Sequence, residues 1–228
     1  RIAYYSADFR NHPMSYLLAN LYELHDKNKF EIIGISFGPD SDEKMRRRVS
    51  DAFDEFYDVR LKTDDEIVKF SRELKIDIAI DLMCFTKYHK FGIFVKRCAP
   101  IQVNYLGYPG TSGTNYLDYI IADKIIIPKE SQKYYSEKIV YLPNTYQAND
   151  STKKISDKVF SREELGLPKD GFVFCCFNNN YKITPQVFDV WMRLLERVEN
   201  SVLWILSENI NISENLKKEA TIRGIDFN

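Results

Sequence analysis

The chain has 228 residues, of which 44% are hydrophobic, 14% aromatic and 29% charged, a composition typical of globular proteins rather than disordered or collagen-like chains. Its 32 basic and 33 acidic residues almost cancel, and the sequence pI near 6.4 argues against a dedicated nucleic-acid binder. The sequence has no apolar run that approaches the roughly 20 residues needed to cross a bilayer, so we expect neither nucleic acid nor a membrane as a partner.

The hydrophobic pattern predicts strands that alternate with helices along residues 1–143. Continuous apolar runs predict buried strands, and apolar residues at helical spacing predict helices. The predicted strands cover residues 2–5, 30–37, 56–59, 76–83, 101–106, 119–122 and 138–142. The predicted helices cover residues 13–24, the charged stretch through 46–48, and residues 64–74 and 91–96. This alternation predicts an α/β fold, in which a parallel sheet is covered by helices on both faces.

A second block of the same kind follows a polar segment. Residues 144–160 carry no hydrophobic period, and we interpret them as a linker. Residues 161–228 then predict a strand, a helix, a strand and a helix, at 172–177, 185–198, 201–206 and 214–223. Because the first strand begins at residue 2 and the chain stops at Asn228, inside what we expect to be a further strand, we expect the sequence to be a piece of a longer protein.

The cysteines and histidines give no metal-binding pattern. The four cysteines lack C-x-x-C spacing, and no histidine follows them at zinc-finger distance. We therefore expect reduced, mostly packed thiols, which fits a cytoplasmic protein. The three histidines are too scattered to suggest a metal site, and we expect none. These residues are Cys84, Cys98, Cys175, Cys176, His12, His25 and His89.

Ligands of open parallel sheets bind beyond the carboxyl ends of the strands. That rule selects the loops at residues 6–13, 84–88, 107–114 and 178–184. His12 ends the first of these loops, just before the helix that Pro13 opens. An imidazole there is suited to act as a general base or to donate a hydrogen bond to a substrate, and the helix dipole favours its neutral form. The alternative is that His12 only caps the helix or packs in the loop.

Two other loops carry residues suited to ligand binding. Residues 107–113 hold three glycines and a proline, so their backbone could approach a ligand closely, although an ordinary loop remains an equal alternative. Lys182 precedes a helix for which Thr184 is a good N-cap and Pro185 a good first residue. A lysine beside a helix N-terminus is a phosphate-site pattern; the alternative is a capped turn with an exposed lysine.

The run of three arginines at residues 46–48 also has two readings. Such a run could bind phosphate or an acidic partner. More often it is a solvated helix face, and this second reading is the one we favour.

Taken together, six segments resemble the catalytic region of the O-linked N-acetylglucosamine transferase / SPINDLY family. They are SADFRNHP (6–13), APIQVNYLGYPGTSG (99–113), DYIIAD (118–123), YSEKIVYLP (135–143), FNNNYKITP (177–185) and NSVLWIL (200–206). The resemblance covers nearly the whole chain. It implies a GT-B glycosyltransferase with two Rossmann-like halves, here a catalytic half at 1–143, the linker at 144–160 and the incomplete start of a donor-binding half at 161–228.

The resemblance also implies site residues. The histidine of the family's NHP motif lines the active site and corresponds to His12, and the lysine that contacts the donor diphosphate corresponds to Lys182. We take these two as the catalytic residues. The donor is a nucleotide sugar that binds as a substrate, no cofactor is implied, and a lysine with backbone dipoles could neutralise its diphosphate without a metal. The implied substrate-binding residues are Gly107, Pro109, Asn179 and Tyr181.

The chain departs from the family pattern at three points. Animal members carry a second active-site histidine, and this chain has Asp77 at that position. Seven residues later the animal members have a glycine, and this chain has Cys84. The large insert between the halves of animal members is replaced by residues 144–160. The family's later donor-binding segment would lie beyond Asn228 and its tetratricopeptide repeats before Arg1, so we expect the isolated chain to be inactive.

The implied function is an inverting transfer of a sugar, most simply GlcNAc from UDP-GlcNAc, to Ser or Thr hydroxyls of an acceptor protein. Two alternatives stay open. One is a related transferase with another donor or acceptor, such as fucose from GDP-fucose or glucose onto Asn. The other is a non-catalytic scaffold that keeps the fold without turnover.

Overall fold

A computed structural model describes residues 1–40, 43–207 and 209–226. The chain divides into two compact units, Arg1–Lys154 and Ile155–Asn228. Each unit is built from strands that pair in parallel, which confirms the predicted α/β class. We describe the units separately.

The first unit contains, within residues 1–40 and 43–154, a parallel sheet of seven strands. The strands are β1 (Ile2–Ser6), β2 (Ile32–Ser36), β3 (Glu55–Asp58), β4 (Ile78–Asp81), β5 (Ile101–Tyr105), β6 (Tyr119–Ala122) and β7 (Lys138–Tyr141). The helices are α1 (Pro13–Glu23), α2 (Lys44–Ala52), α3 (Asp64–Glu73) and the single turn α4 (Gly92–Val95), with a 3₁₀ helix at Lys129–Tyr134. Each predicted strand and helix of this unit is confirmed, with bounds that differ by a few residues.

The order of the strands places a crevice at the middle of this sheet. Across the sheet the order is β3-β2-β1-β4-β5-β6-β7, so the chain winds one way from β1 to β3 and the other way from β4 to β7. Parallel sheets bind ligands where the winding direction reverses, outside the carboxyl ends of the strands. Here that point lies between β1 and β4, which pair directly with Tyr5 beside Asp81.

The core covers both faces of the sheet, and the central strands are buried along most of their length. All five residues of β2 are buried, which explains its uninterrupted apolar sequence. On one face the rings of Tyr4, Phe9, Tyr22 and Phe53 pack edge-on or tilted against one another, with centroids 4.7 to 6.0 Å apart. Burying each ring stabilises the fold by roughly 1.5–3 kcal/mol, so this aromatic cluster anchors β1 and α1 together.

The arginine run is only in part the solvated helix face that we favoured from the sequence, because Arg47 is exposed whereas Arg46 and Arg48 are partly buried. Arg46 donates to the Phe9 carbonyl and to Ser36 Oγ, both at 3.0 Å, and only 12% of its side chain is exposed. Arg48 contacts both carboxylate oxygens of Glu23, at 2.7 and 2.9 Å. For Arg46 and Arg48 the prediction was wrong, because α2 turns their guanidinium groups towards polar groups of distant segments.

The segment interpreted as a linker is bound to the first unit over much of its length. The Tyr146 carbonyl accepts a hydrogen bond from Tyr105 Oη at 2.8 Å, and Ser151 Oγ donates to Asn20 Oδ1 at 2.8 Å. Asp150, with 4% of its side chain exposed, accepts from Arg48 Nη1 at 2.6 Å. Residues 146–152 therefore form a strap over the first unit, and the boundary between the units falls after Lys154.

The second unit contains β8 (Val173–Cys176), a 3₁₀ helix (Asn180–Lys182), α5 (Pro185–Arg197), β9 (Val202–Ile205) and α6 (Ile210–Ile222). These confirm the predicted order, but α6 begins earlier than residue 214. The reason is a local cap, because Asn209 Oδ1 accepts from the Ile212 backbone N–H at 3.1 Å and starts the helix one turn sooner. The further strand expected at the end of the chain falls on residues 227 and 228, outside the described residues.

None of the helices in the described ranges combines the length and the hydropathy that crossing a bilayer requires.

The four cysteines are free thiols in the structure. Cys84 and Cys98 are buried as expected, whereas Cys175 is exposed, so the expectation of packed thiols is wrong for that residue.

We predict that Arg48→Met destabilises the first unit and releases the strap at 146–152. The substitution leaves the buried Asp150 carboxylate without its guanidinium, and we expect the free energy of unfolding to fall by roughly 1–3 kcal/mol in urea denaturation. Hydrogen exchange should rise at residues 150–152. Lys44→Met, at an exposed position of the same helix, is the matched control and should change stability by less than about 0.5 kcal/mol.

The pH dependence tests the same contact. Arg48 lowers the pKa of Asp150 from 3.8 to about 2. The stabilisation is therefore complete above pH 3.8 and is lost as the pH falls through 2. The stability difference between the native chain and Arg48→Met should shrink over that range, and a difference that grows in acid would contradict the assignment.

Candidate active site

A cavity of about 250 Å³ lies in the first unit at the point where the strand order reverses. It is lined by the loops that follow β1, β4 and β5, as the loop rule predicts. Two of the predicted site residues, His12 and Gly107, meet in its wall. The polar and aromatic lining consists of Asp8, Arg10, His12, Thr86, Lys87 and Tyr88.

His12 is both the N-cap of α1 and a neighbour of a buried carboxylate. Its Nδ1 lies 3.3 Å from the Met14 backbone nitrogen, as a capping acceptor, and 3.4 Å from Asp8 Oδ2. One nitrogen cannot accept from Met14 and donate to Asp8 in the same tautomer. When Nδ1 carries the proton and donates to Asp8, Nε2 is left unprotonated. The cap from Met14 favours the opposite tautomer, so Nε2 is free to act as a base only when Nδ1 gives up the cap and donates to Asp8.

The surroundings of His12 keep its imidazole neutral. Burial lowers the pKa of His12 below its usual 6.5, the Asp8 carboxylate opposes this effect, and the Arg10 guanidinium adds to it. Asp8 is itself fixed, because its backbone N–H donates to Ser6 Oγ at 2.9 Å and its carbonyl accepts from Ser15 Oγ at 2.6 Å. A neutral imidazole with a fixed carboxylate partner is the arrangement that proton transfer at neutral pH requires.

Gly107 lies where no side chain fits. A Cβ atom at this position would stand 1.8 Å from the Leu82 carbonyl oxygen. The loop that Gly107 begins is fixed at its start by Asn104, whose Nδ2 donates to the carbonyls of Tyr108 and Gly110, each at 3.1 Å. Within the same loop the Pro109 carbonyl accepts from Tyr135 Oη at 3.5 Å. The glycine thus brings the backbone after β5 against the end of β4.

The end of the glycine-rich loop is held by a buried carboxylate that the sequence did not single out. Glu137 is 4% exposed and accepts from the Ser112 backbone N–H at 2.7 Å, from Ser112 Oγ and from Thr111 Oγ1 at 2.7 Å. Burial alone would raise the pKa of Glu137, but the hydrogen bonds from Ser112 and Thr111 outweigh it and hold the pKa below its usual value. In the sequence Glu137 stands between a serine and a lysine, a setting typical of an exposed turn. Nothing in the neighbouring residues therefore predicts that Glu137 is buried and holds the loop.

A second buried carboxylate shapes the loop after β4. Asp81 accepts from the backbone N–H groups of Met83 at 2.9 Å and Cys84 at 3.1 Å. Burial raises the pKa of Asp81 to about 6, although these two hydrogen bonds oppose the shift. Cys84, where the family resemblance places a glycine, adopts a left-handed backbone with φ of 45°. Cys84 therefore adopts the backbone conformation that a glycine would adopt at this position, and its side chain makes that conformation strained.

The second unit holds the other predicted site residues. Asn179, Tyr181 and Lys182 lie in and just before the 3₁₀ helix that joins β8 to α5, and all three are exposed. Asn179 Oδ1 accepts from the Tyr181 backbone N–H at 3.4 Å. Thr184 caps α5 by accepting from the Val187 N–H at 3.3 Å, with Pro185 as the first helical residue, as the sequence predicts. Lys182 thus stands three residues before the first residue of a 13-residue helix.

Within the residues that the structure describes, no three His, Cys, Asp or Glu side chains cluster in a way that could hold a metal ion. Buried carboxylates of the first unit, among them Asp8, Asp81, Asp123 and Glu137, instead accept hydrogen bonds from the protein.

Comparison with known proteins supports the resemblance seen in the sequence. A profile described as glycosyl transferase family 41 matches residues 1–158 and 147–228. The chain is 38% identical over 211 residues to a protein of Arabidopsis thaliana named probable UDP-N-acetylglucosamine–peptide N-acetylglucosaminyltransferase SEC, with 90% of this chain and 22% of that protein covered. It is 34% identical over 206 residues to the SPINDLY protein of the same plant, which is named as the same kind of probable transferase, with 89% and 22% covered.

A solved structure agrees with these relatives. A lysine-to-methionine variant of the O-GlcNAc transferase of Thermobaculum terrenum matches with a TM-score of 0.87 and 28% identity, over 99% of this chain and 42% of that one. A Caenorhabditis elegans UDP-N-acetylglucosamine–peptide N-acetylglucosaminyltransferase is 24% identical over 338 aligned positions, with 99% of this chain and 29% of that protein covered. The chain therefore spans between 22% and 29% of the length of these curated relatives.

We predict that His12 titrates below pH 6.5 and that its two charged neighbours move its pKa in opposite directions. Asp8→Asn should lower the pKa further, because the carboxylate favours the imidazolium, and Arg10→Met should raise it. NMR titration of the imidazole signals measures this, with His12→Gln to assign the resonance. A native pKa above 6.5, or an increase in Asp8→Asn, would contradict the electrostatic account.

We predict that Glu137→Gln loosens the glycine-rich loop. One oxygen of the carboxylate becomes an NH₂ group, which cannot accept from Ser112 or Thr111, so the free energy of unfolding should fall by roughly 1–3 kcal/mol. Hydrogen exchange at Ser112 and Gly113 should accelerate. Glu130→Gln, at an exposed position in the 3₁₀ helix Lys129–Tyr134, is the matched control. If hydrogen exchange at Ser112 and Gly113 were equally fast in the two variants, Glu137 would not be the residue that holds the loop.

Proposed function

The chain belongs to glycosyl transferase family 41, and we propose that it forms part of the catalytic region of a GT-B, inverting glycosyltransferase. The full-length protein would transfer GlcNAc from UDP-GlcNAc to Ser or Thr hydroxyls of acceptor proteins. The observation that carries this proposal is the position of His12, which lies 3.4 Å from the buried Asp8 carboxylate and lines a cavity at the reversal point of the sheet. The relatives that match this chain are named as transferases of this donor to peptides.

In the proposed reaction His12 receives the proton of the acceptor. With Nδ1–H donating to Asp8, Nε2 accepts the hydrogen bond of the Ser or Thr hydroxyl. The hydroxyl oxygen attacks the anomeric carbon, the bond from that carbon to the diphosphate oxygen breaks, and UDP leaves with the electron pair. The acceptor proton ends on His12, and the configuration at the anomeric carbon inverts.

Lys182 and the N-terminus of α5 would stabilise the charge that develops on the leaving diphosphate. An ammonium group beside free helical N–H groups is a favourable anion site. Lys182 is exposed and, within the described ranges, makes no ion pair with a carboxylate. Asn179 and Tyr181, in the same connection, would contact the nucleotide end of the donor, as the family resemblance implies.

The glycine-rich loop would bind the donor sugar. Gly107 contributes backbone to the cavity wall at a place where a side chain would collide with the Leu82 carbonyl. Asn104 at the start of the loop and Glu137 at its end fix the positions of Gly107 and Pro109. A sugar held against fixed backbone groups needs little reorganisation in the transition state.

We further propose that the protein acts in the cytoplasm, with the nucleotide sugar and an acceptor protein as its partners. The buried, free thiols of Cys84 and Cys98 fit a reducing compartment.

The test is transfer of labelled sugar to Ser- and Thr-containing peptides by the full-length protein. We expect label from UDP-GlcNAc, and a roughly 10²- to 10³-fold lower kcat in Lys182→Met. Lys218→Met, an exposed position on α6, is the charge-matched control.

UDP-glucose and GDP-fucose are assayed in parallel. Label from one of these donors and none from UDP-GlcNAc would overturn the donor assignment while keeping the transferase. A folded protein that binds UDP but labels no peptide from any donor would overturn the reaction itself.

A further inference from the structure

The cavity beside His12 carries two cationic side chains that the proposed reaction does not use. Arg10 comes from the loop after β1 and Lys87 from the loop after β4, and both line the cavity. They approach it from opposite sides of the reversal point, since β1 and β4 are the strands that flank it. Two converging cations on separate loops suggest that the cavity receives an anionic group.

The charge balance of the cavity is positive. Its one lining carboxylate, Asp8, accepts from Arg10 Nη2 at 3.2 Å through Oδ1 and contacts His12 through Oδ2. Both carboxylate oxygens of Asp8 thus contact residues of its own loop, after β1. In the part of the chain that the structure describes, Asp8 makes no contact with Lys87. With His12 neutral, the lining carries two positive charges against one negative charge.

Both cations keep hydrogen-bonding capacity that no described group uses. The Nε atom of Arg10 is buried and has no hydrogen-bond partner among residues 1–40, 43–207 and 209–226. Lys87 is exposed, and in these ranges its ammonium lies 5.0 Å from the ring centre of Tyr88 and forms no ion pair. A contact with a ring face leaves the ammonium N–H groups free to bind an anion.

We propose that Arg10 and Lys87 form an acceptor-reading subsite that binds the carboxylate of an Asp or Glu side chain close to the modified Ser or Thr. This inference rests on the proposed function and adds a substrate preference to it. A guanidinium and an ammonium are the groups that bind carboxylates most strongly. The subsite lies in the same cavity wall as His12, which the acceptor hydroxyl must approach.

The size of the cavity admits one small group at a time beside His12 and not a whole nucleotide sugar. Pockets that enclose whole small-molecule ligands measure roughly 300–1,000 Å³, so a cavity of about 250 Å³ is too small for a nucleotide sugar but large enough for one acidic side chain. The donor diphosphate also has its own candidate site, at Lys182 and the start of α5.

The experiment compares acceptor peptides that differ by one charge. The full-length enzyme is assayed with UDP-GlcNAc and a set of Ser peptides in which a single Glu is moved through the flanking positions, each against its Gln counterpart. We expect Glu to raise kcat/KM roughly tenfold over Gln at one or two positions. Lys87→Met should reduce that ratio to about one, Lys87→Arg should restore it, and Lys87→Glu should favour a Lys peptide instead.

The control is Lys69→Met, which removes an exposed lysine from α3 and should keep the native Glu preference. The proposal is overturned if transfer shows no Glu preference at any position, or if Lys87→Met raises the KM for UDP-GlcNAc and affects Glu and Gln peptides equally, which would assign the cations to the donor. If no peptide accepts sugar at all, the proposed function fails and this inference fails with it. Melting temperatures of the variants separate these outcomes from misfolding.

Discussion

The reversal of strand order between β1 and β4 is the constraint on which the first unit depends. Because the chain leaves these two neighbouring strands in opposite directions, no connection covers the gap between their carboxyl ends. The loops after β1, β4 and β5 consequently line one small cavity, although they are far apart in sequence. The position of His12 follows from this topology, since it closes the first of these loops and opens α1.

The loops around the cavity are irregular, and buried carboxylates give them a fixed shape. Asp81 holds the backbone after β4, and Glu137 holds the end of the loop after β5. A buried carboxylate is costly unless its oxygens accept hydrogen bonds, and here backbone N–H and hydroxyl groups supply them. The same loops would carry the proposed sugar site and the proposed acceptor subsite, so both depend on groups that touch no substrate.

The sequence was sufficient to predict the parts of the fold that have a local signal. Apolar runs located the strands, and Pro13 and Pro185 located the beginnings of two helices. His12 and Lys182 could be named because both stand between a strand and a helix, where parallel sheets bind ligands. The structure brings His12 and Gly107 into one cavity wall, while Lys182 belongs to the other unit.

What the sequence did not predict depends on partners that lie far along the chain. Glu137 contacts Ser112 across 25 positions of the sequence, and Arg48 contacts Asp150 across 102.

The contact between Arg48 and Asp150 bears on the order of folding. All seven strands of the first sheet are synthesised before residue 150, so the sheet can assemble before the strap that crosses it exists. Closing so long a loop is entropically unfavourable until its ends are already near each other. We therefore expect the strap to be the last part of this unit to form and to affect the unfolding rate more than the folding rate.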